Sequence, residues 1–334
     1  MKNIVYIFIV SLAIFASCNH PLNVDTYKHS IRGEAQGTYY AITYYDSLNR
    51  MLKPQFDSVL DAFDLSASNY KPQSIISKVN RNENVKLDDI FIGNYRLAMK
   101  VSAQTNGDFD ITVRPLVEAW GFGKTKAEDM DSAIVDSILS FVGYQKIKII
   151  GDSVVKEDPR LQLDFDALAQ GYSVDVLSNY LQSIGIKSYI IDVGGEIYAS
   201  KSKPNGEQWK VGVQTPKDST VYGEDLSAVL PLSGEGMATS GNYRKFYIKD
   251  GIKYAHTINP HTGYPIATRL LSTTVIAKTA AQADAYATAF MVMGLEKSEA
   301  FVKQHPELEV FLIYSNHKGE YEFYTTPRLA KVVK

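Results

Sequence analysis

The chain opens with an apolar run and then becomes periodic. Ile4 to Ala16 is apolar apart from Ser11, and Lys2 supplies positive charge ahead of it. A bilayer span needs about 20 such residues, so this run is too short to cross comfortably and fits the core of an export signal. Thr38 to Tyr45 alternates aromatic and polar positions, the period of a half-buried strand. From about Pro54 to Leu65, Phe56, Val59, Leu60 and Phe63 recur at helical spacing. Asp89 to Thr105 repeats that spacing with Ile90, Tyr95, Leu97, Ala98 and Val101, and Asn106-Gly107 closes it. Asp131 to Val142 predicts a third helix. Lys146 to Ile150, Val154 to Lys156 and Leu161 to Phe165 predict short strands, the first two joined by Gly151-Asp152-Ser153.

In the second half, Gln170 to Ile184 predicts a helix that stops at Gly185, and Ser188 to Val193 a strand running into Gly194-Gly195. Trp209 to Gln214, Ala228 to Leu232, Ala238 to Ser240, Lys245 to Ile248 and Ser272 to Ala277 read as strands, with a hairpin signal at Asp250-Gly251. Thr279 to Met293 is an alanine-rich helix, and the tail adds a short helix and two strands. Strands and helices mix without regular βαβ alternation, which predicts an α+β fold rather than a doubly wound one. There is no internal repeat and no low-complexity linker.

Composition changes this picture in two places. Net charge is −2 with no basic run of five or more residues, which argues against nucleic acid as the main partner. The one cysteine, Cys18, follows Phe15-Ala16-Ser17, so the chain has no pair for an intrachain disulfide. Small residues before a cysteine let a lipoprotein peptidase cut there, and the freed Cys18 can carry lipid, whose acyl chains favour the bilayer by about 0.8 kcal/mol per buried CH₂. The expected division is a lipoprotein signal peptide over 1–17, a lipidated polar tether over 18–30 and a single domain over 31–334.

Several groups could carry chemistry. On a helix, Asp284 and Thr288 are four apart and share a face. A carboxylate and a hydroxyl there offer the hard oxygens that Mg²⁺ prefers, or simply a hydrogen-bonded pair on a solvated face. Asp164 and Asp166 stand between an apolar segment and a helix, where the helix dipole alone favours acids and where a cation or nucleotide would also find them. Asp108 and Asp110 flank Phe109 after a helix-ending glycine, which equally fits an Asx-rich turn. Tyr70 to Ser74 fits a turn with a helix cap at Ser74. His256 fits a structural histidine or, beside a metal-bound phosphate, a general base. Gly194-Gly195-Glu196 lets backbone approach a ligand but lacks the third glycine of a dinucleotide fingerprint, and no Walker-type loop is present.

The order of these segments is more specific than any one of them. Gln36-Gly37-Thr38, Tyr70-Lys71-Pro72, Ser74 to Asn80, Gly107 to Thr112, Trp120 to Gly123, Asp164 to Asp175, Asp192 to Glu196, Ala238 to Tyr243, His256 to Pro265 and Ala283 to Thr288 resemble, in that order, the ApbE-type family of FAD:protein FMN transferases. The resemblance runs from about Gly37 to Phe311. It implies an ApbE-like mixed fold of largely antiparallel sheets flanked by helices, with the FAD site in a cleft between sub-domains. It implies Mg²⁺ held by the side chains of Asp284 and Thr288 and the carbonyl of Ala167. It implies an FAD pocket lined by Gln36, Tyr70, Asp108, Phe109, Asp110, Asp164, Gln170 and the stretch from His256 to Ile258, with His256 taking the proton of the acceptor hydroxyl and Asp284 serving catalysis through the metal.

The implied reaction moves the FMN half of FAD to a Ser or Thr hydroxyl of an acceptor protein carrying a flavinylation motif, expected to be a membrane redox subunit, and releases AMP. Two other readings share the site: an FAD pyrophosphatase and a non-catalytic FAD-binding lipoprotein. The family setting implies an exported lipoprotein on a membrane facing the periplasm, expected to be the inner one. Four positions depart from the family pattern. Gln36 stands where Met is common, Gln170 where Lys is common, and Asn242 and Asn259 where Asp is common. The loss of Lys at 170 removes a positive charge near the nucleotide.

Overall fold

The structure is a computed structural model and describes residues 26–123, 130–216, 225–242, 246–249, 252–255 and 257–333, with backbone alone over 246–249 and 252–255. In chain order the strands are β1 (Tyr27–Ala35), β2 (Thr38–Asp46), β3 (Ile147–Ile150), β4 (Ser153–Lys156), β5 (Ser188–Val193), β6 (Glu196–Ala199), β7 (Trp209–Gln214), β8 (Leu226–Leu232), β9 (Glu235–Gly241), β10 (Phe246–Lys249), β11 (Ile252–Ala255), β12 (Leu270–Ala277), β13 (Glu309–Ser315) and β14 (Tyr321–Thr325). The helices are α1 (Lys53–Ala67), α2 (Ile75–Asn80), α3 (Asp89–Gln104), α4 (Arg114–Ala119), α5 (Ser132–Leu139), α6 (Asp166–Ser183), α7 (Ala280–Met293) and α8 (Leu295–Gln304). The mixed α+β architecture expected from the sequence is the one observed.

Eight strands form one antiparallel sheet in the order β1-β2-β5-β6-β9-β12-β13-β14; β3-β4, β7-β8 and β10-β11 are separate two-stranded ribbons. The period of two along β12 and β13 explains the layering. Val275, Ala277, Val310 and Leu312 pack toward the helices with Phe165, Leu168 and the alanines of α7. Their neighbours Ile276, Phe311 and Ile313 face the other way, onto Trp209, Val211, Leu230 and Leu232 of the β7–β8 ribbon. These central strands are apolar on both faces because both faces are covered. At the β1 end, Tyr40, Ile42, Tyr44 and Ile191 meet Phe56 and Leu60 of α1 and Val174, Leu177 and Leu181 of α6. A small outlying cluster joins Leu116, Trp120, Val135, Phe141, Val142 and Ile258.

The strand expected over Leu161–Phe165 is instead an extended segment with no strand partner. Leu163 bonds to side chains: its N–H donates to Asn80 Oδ1 at 2.7 Å, and its carbonyl accepts from Asn80 Nδ2 at 2.9 Å and Asn69 Nδ2 at 3.3 Å, while Asp164 N–H donates to the Ile111 carbonyl at 2.7 Å. Residues 27–30, read as tether, belong to β1. Only Ile31 of that strand is buried, so its polar face hid an edge strand. The helix expected from Gln170 begins at Asp166, four residues earlier. Two short elements were not expected, α4 and β6. The latter follows a two-residue turn in which Gly194 and Gly195 both take positive φ, 68° and 113°.

Candidate active site

The site is built where α6 crosses α7. Gly171 of α6 lies so close to α7 that a Cβ on it would sit 2.5 Å from the Ala280 carbonyl oxygen and 2.9 Å from the Ala281 Cα. One turn further along α6, Asp175 accepts from Ala280 N–H at 2.9 Å and Ala281 N–H at 3.0 Å, one carboxylate oxygen each. A side chain from one helix thus caps the orphan donors of the next. Burial pushes the Asp175 carboxyl up to about 6, against the two N–H donors that pull it down.

That crossing brings the predicted metal residues together. The Gly171 N–H donates to Asp284 Oδ2 at 3.0 Å. In an α-helix the same N–H points at the carbonyl four residues earlier, which is Ala167, so the carboxylate and that carbonyl share a neighbourhood. One turn on, Thr288 places Oγ1 3.3 Å from Ser240 Oγ of β9. Asp284 is 7% exposed, burial drives its carboxyl up, and the nearby Asp175 charge adds to this. A buried carboxylate with one neutral donor lacks compensation, and such charges are ordinarily paired or bound to metal. Among the described residues no cation lies beside it, and no cluster of three or more His, Cys, Asp or Glu forms a ready metal cage. One carboxylate, one hydroxyl and one carbonyl, completed by substrate phosphate and water, is a donor set that suits Mg²⁺.

Around this pair the sheet end supplies backbone turns. Gln36 sits in the β1–β2 turn at φ +55° and accepts from Ser173 of α6 through Oε1 at 3.4 Å. Gln170 lays its amide nitrogen 2.7 Å from where Gly194 would carry a Cβ, which fixes glycine in the β5–β6 turn. Asp164, just ahead of α6, caps Asp166 N–H at 2.9 Å and is met by Asn69 Nδ2 at 3.2 Å and Arg114 Nη1 at 3.4 Å. Arg114 also holds Glu118 at 2.5 Å. Tyr70 is 59% exposed, and its phenol is raised by partial desolvation and by the charges of Asp166 and Asp164.

The remaining candidates are more tightly committed. Asp110 accepts from Thr112 N–H and Oγ1 and from Tyr144 N–H, each at 2.7 Å, and burial raises its carboxyl. Its oxygens hold two loops together. Phe109 is 2% exposed in the main core, so what it can offer a ligand is backbone. Asp108 keeps one oxygen 3.2 Å from His261 Nε2, beside a cavity of about 450 Å³ also lined by Asn106, Lys297 and Phe301. Ile258 packs in the small apolar cluster. Asn259 accepts from His261 and Thr262 N–H, at 2.8 and 3.1 Å, so at 259 the amide oxygen does a turn-holding task open to Asp as well. His256 and Cys18 lie outside the described residues. Sequence reading missed Arg114, Asp175, Ser240 and His261. Only Arg114 had a local signal, its spacing of four from Glu118.

A model described as the ApbE family matches residues 36–312. The FAD:protein FMN transferase of Vibrio cholerae is 30% identical over 324 residues, covering 94% of this chain and 95% of its own. That of Escherichia coli K12 is 32% identical over 295 residues, covering 85% and 83%. Among solved structures, the flavin transferase ApbE from Vibrio cholerae superposes with a TM-score of 0.80 at 28% identity, over 92% of this chain and 100% of that one. The apo form of the Pseudomonas stutzeri flavinyl transferase ApbE gives 0.82 at 28% identity, over 92% and 97%.

Proposed function

This chain belongs to the ApbE family, and from that premise we propose that it is an FAD:protein FMN transferase. The acceptor's Ser or Thr oxygen attacks the FMN phosphorus of FAD, the bond from that phosphorus to the bridging oxygen breaks, and AMP leaves with that oxygen. The hydroxyl proton passes to His256. The observation that carries the reading is the buried Asp284 carboxylate, which has a single backbone donor and no cation beside it among the described residues.

Asp284, Thr288 and the Ala167 carbonyl would hold Mg²⁺, which when bound neutralises charge on the pyrophosphate and acts as Lewis acid. The protein's own part is positional, as phosphoryl transfer requires. Gln36 and Gln170 offer neutral donors at the two glycine turns. The Asp164–Arg114–Glu118 chain fixes the segment that leads into α6. Together with Tyr70 and Asp108 these residues would hold and orient FAD. We place the enzyme on the outer face of a membrane through lipid on Cys18, with an acceptor that is a membrane redox subunit.

The test is the mass of an acceptor domain after incubation with the enzyme, FAD and Mg²⁺. A gain of one FMN is expected, lost with EDTA or with Asp284→Ala and slowed, with FAD still bound, by His256→Ala. FAD converted to free FMN and AMP with no gain on the acceptor would make the protein a pyrophosphatase. Intact FAD after long incubation would make it a binding protein. Full transfer by Asp284→Ala would reject the metal assignment.

A further inference from the structure

The sheet has two unlike ends. One carries the Gln36–Gly37 and Gly194–Gly195 turns and the first half of α6. At the other, β1 begins at Tyr27 opposite Asp46 at the end of β2, and α6 terminates beside them, since Arg50 bridges Asp46 (2.8 and 2.9 Å) and the Ile184 carbonyl (3.2 Å). Large apolar side chains stand out at this second end. Tyr27 is 50% exposed, Leu48 69% and Met51 65%. They are neighbours: His29 shares the face of Tyr27 two residues on, and its Nδ1 lies 3.1 Å from Met51 Sδ, while Leu48 follows Asp46 by two.

Three lysines at this end stand outside any ion pair among the described residues. Lys28 lies on β1, and Lys187 and Lys201 flank strands β5 and β6, which Ser188 and Ser202 tie together at 2.8 Å. All three lysines are exposed, and none has a carboxylate partner among the described residues. The acids nearby are already engaged, Asp46 by Arg50 and Glu207 by Lys203. Exposed apolar side chains bordered by unpaired lysines are the composition of a surface that rests on anionic headgroups.

The chain's reach points to the same occupant. Tyr27 is nine residues after Cys18, and nine residues span at most about 30 Å. We propose that the Tyr27–Leu48–Met51 end of the domain lies on an anionic lipid bilayer, with Lys28, Lys187 and Lys201 at the headgroups; this rests on the reading that Cys18 is lipidated. The nine residues of β1, at about 3.3 Å each, then hold the Gln36 end roughly 30 Å further out. The active site faces away from the membrane, and the acceptor hydroxyl must be carried on a part of its protein that stands clear of the bilayer.

With Cys18 lipidated, an introduced cysteine is the one free thiol. The full, lipid-carrying chain with Leu48→Cys, labelled with a polarity-sensitive dye, is incorporated into vesicles of phosphatidylglycerol with phosphatidylcholine, or of phosphatidylcholine alone. Lys318→Cys, in the β13–β14 turn at the other end of the sheet, is the control. The expected result is a blue shift at position 48 on the anionic vesicles, absent at 318. The shift should be lost in Lys28→Glu/Lys187→Glu/Lys201→Glu, whose FMN transfer to a soluble acceptor stays unchanged. Protein that floats with the vesicles but shows no shift at 48, or an equal shift at both positions, overturns the orientation and leaves this end to a protein partner or to solvent. Protein that does not float at all overturns the lipid on Cys18 and the orientation with it. The dye shift and flotation are read without FAD, so failure of the orientation is separate from failure of the proposed activity.

Discussion

Gly171 gives its backbone N–H to Asp284 Oδ2 across 3.0 Å, and only glycine fits where it stands. A methyl group there would meet the Ala280 carbonyl at 2.5 Å, backbone that cannot turn aside as a flexible side chain would. Gly171→Ala should force α6 from α7 and cost about 1–3 kcal/mol, the usual penalty of overpacking a tight contact. Urea unfolding measures it, and stabilisation by Mg²⁺ should shrink in parallel. An unchanged midpoint would mean that the two helices can separate freely.

Stability without metal should depend on pH in an unusual direction. The Asp175 carboxyl rises from 3.8 to about 6 on folding, and burial moves Asp284 the same way. Between the unfolded and folded values the native state binds more protons than the unfolded chain, so stability falls as pH rises through that window. From about pH 4 to about pH 6 the loss attributable to Asp175 is on the order of 3 kcal/mol, and Asp284 extends the decline above that. Melting curves in EDTA across this range test it. Added Mg²⁺ should restore stability near neutrality and do little near pH 4. Metal-free melting temperatures that rise steadily from pH 4 to 7 would contradict the assignment.

Arg114 holds two carboxylates, Asp164 at 3.4 Å and Glu118 at 2.5 Å, and is 8% exposed. Arg114→Leu leaves both acids without their cation. Truncating one partner of a buried pair costs about 3–5 kcal/mol, and partial exposure of Glu118 places this case toward the lower figure. Arg114→Lys keeps the charge but not the fork that reaches both acids, so it should recover only part of the loss. Urea midpoints and the KM for FAD, raised in both variants, provide the readings.

Gln170→Lys should tighten FAD binding. The side chain lies against the Gly194 turn, and an ammonium there exchanges a neutral donor for a charged one. Hydrogen bonds to charged groups exceed neutral ones by about 1 kcal/mol, roughly fivefold in Kd. Titration of FAD at low and high salt tests this, and the gain should fade as ionic strength rises. Equal affinity at low salt would place position 170 away from the phosphates.

Elements with strong periodicity were legible in the chain. The apolar spacing of α1 and α3, the alternation of β2 and the apolar run of β5 located those elements to within a residue or two. Leu161–Phe165 misled because Leu163 is satisfied by Asn69 and Asn80, residues about 80 to 95 positions away, and Asp164 N–H by the Ile111 carbonyl, partners that no local pattern connects to it. Strand β1 was hidden because an edge strand can be polar nearly throughout. The candidate site was legible as a set of segments, through resemblance. Its geometry was not, because it depends on the closeness of α6 and α7, and that is set by a missing side chain at Gly171 and by Asp175 reaching the next helix. The structural settings of Asp110 and Phe109 were equally hidden, the first tying loops together and the second filling the core.

The strand order of the large sheet, β1-β2-β5-β6-β9-β12-β13-β14, never turns back on the sequence. Each later strand joins the edge left by the one before it, and none must be inserted between two already paired. A chain that emerges amino end first can therefore lay down its sheet as it arrives, one border at a time, with only short-lived open edges. The reactive centre cannot form on that schedule. Asp284 and Thr288 lie on α7, which enters after six of the eight strands, so Gly171 and Asp175 wait on α6 for a helix still to come. Assembly of the metal-holding side chains is thereby deferred until the scaffold is nearly whole, and a chain halted before residue 280 would own most of the sheet and neither Asp284 nor Thr288.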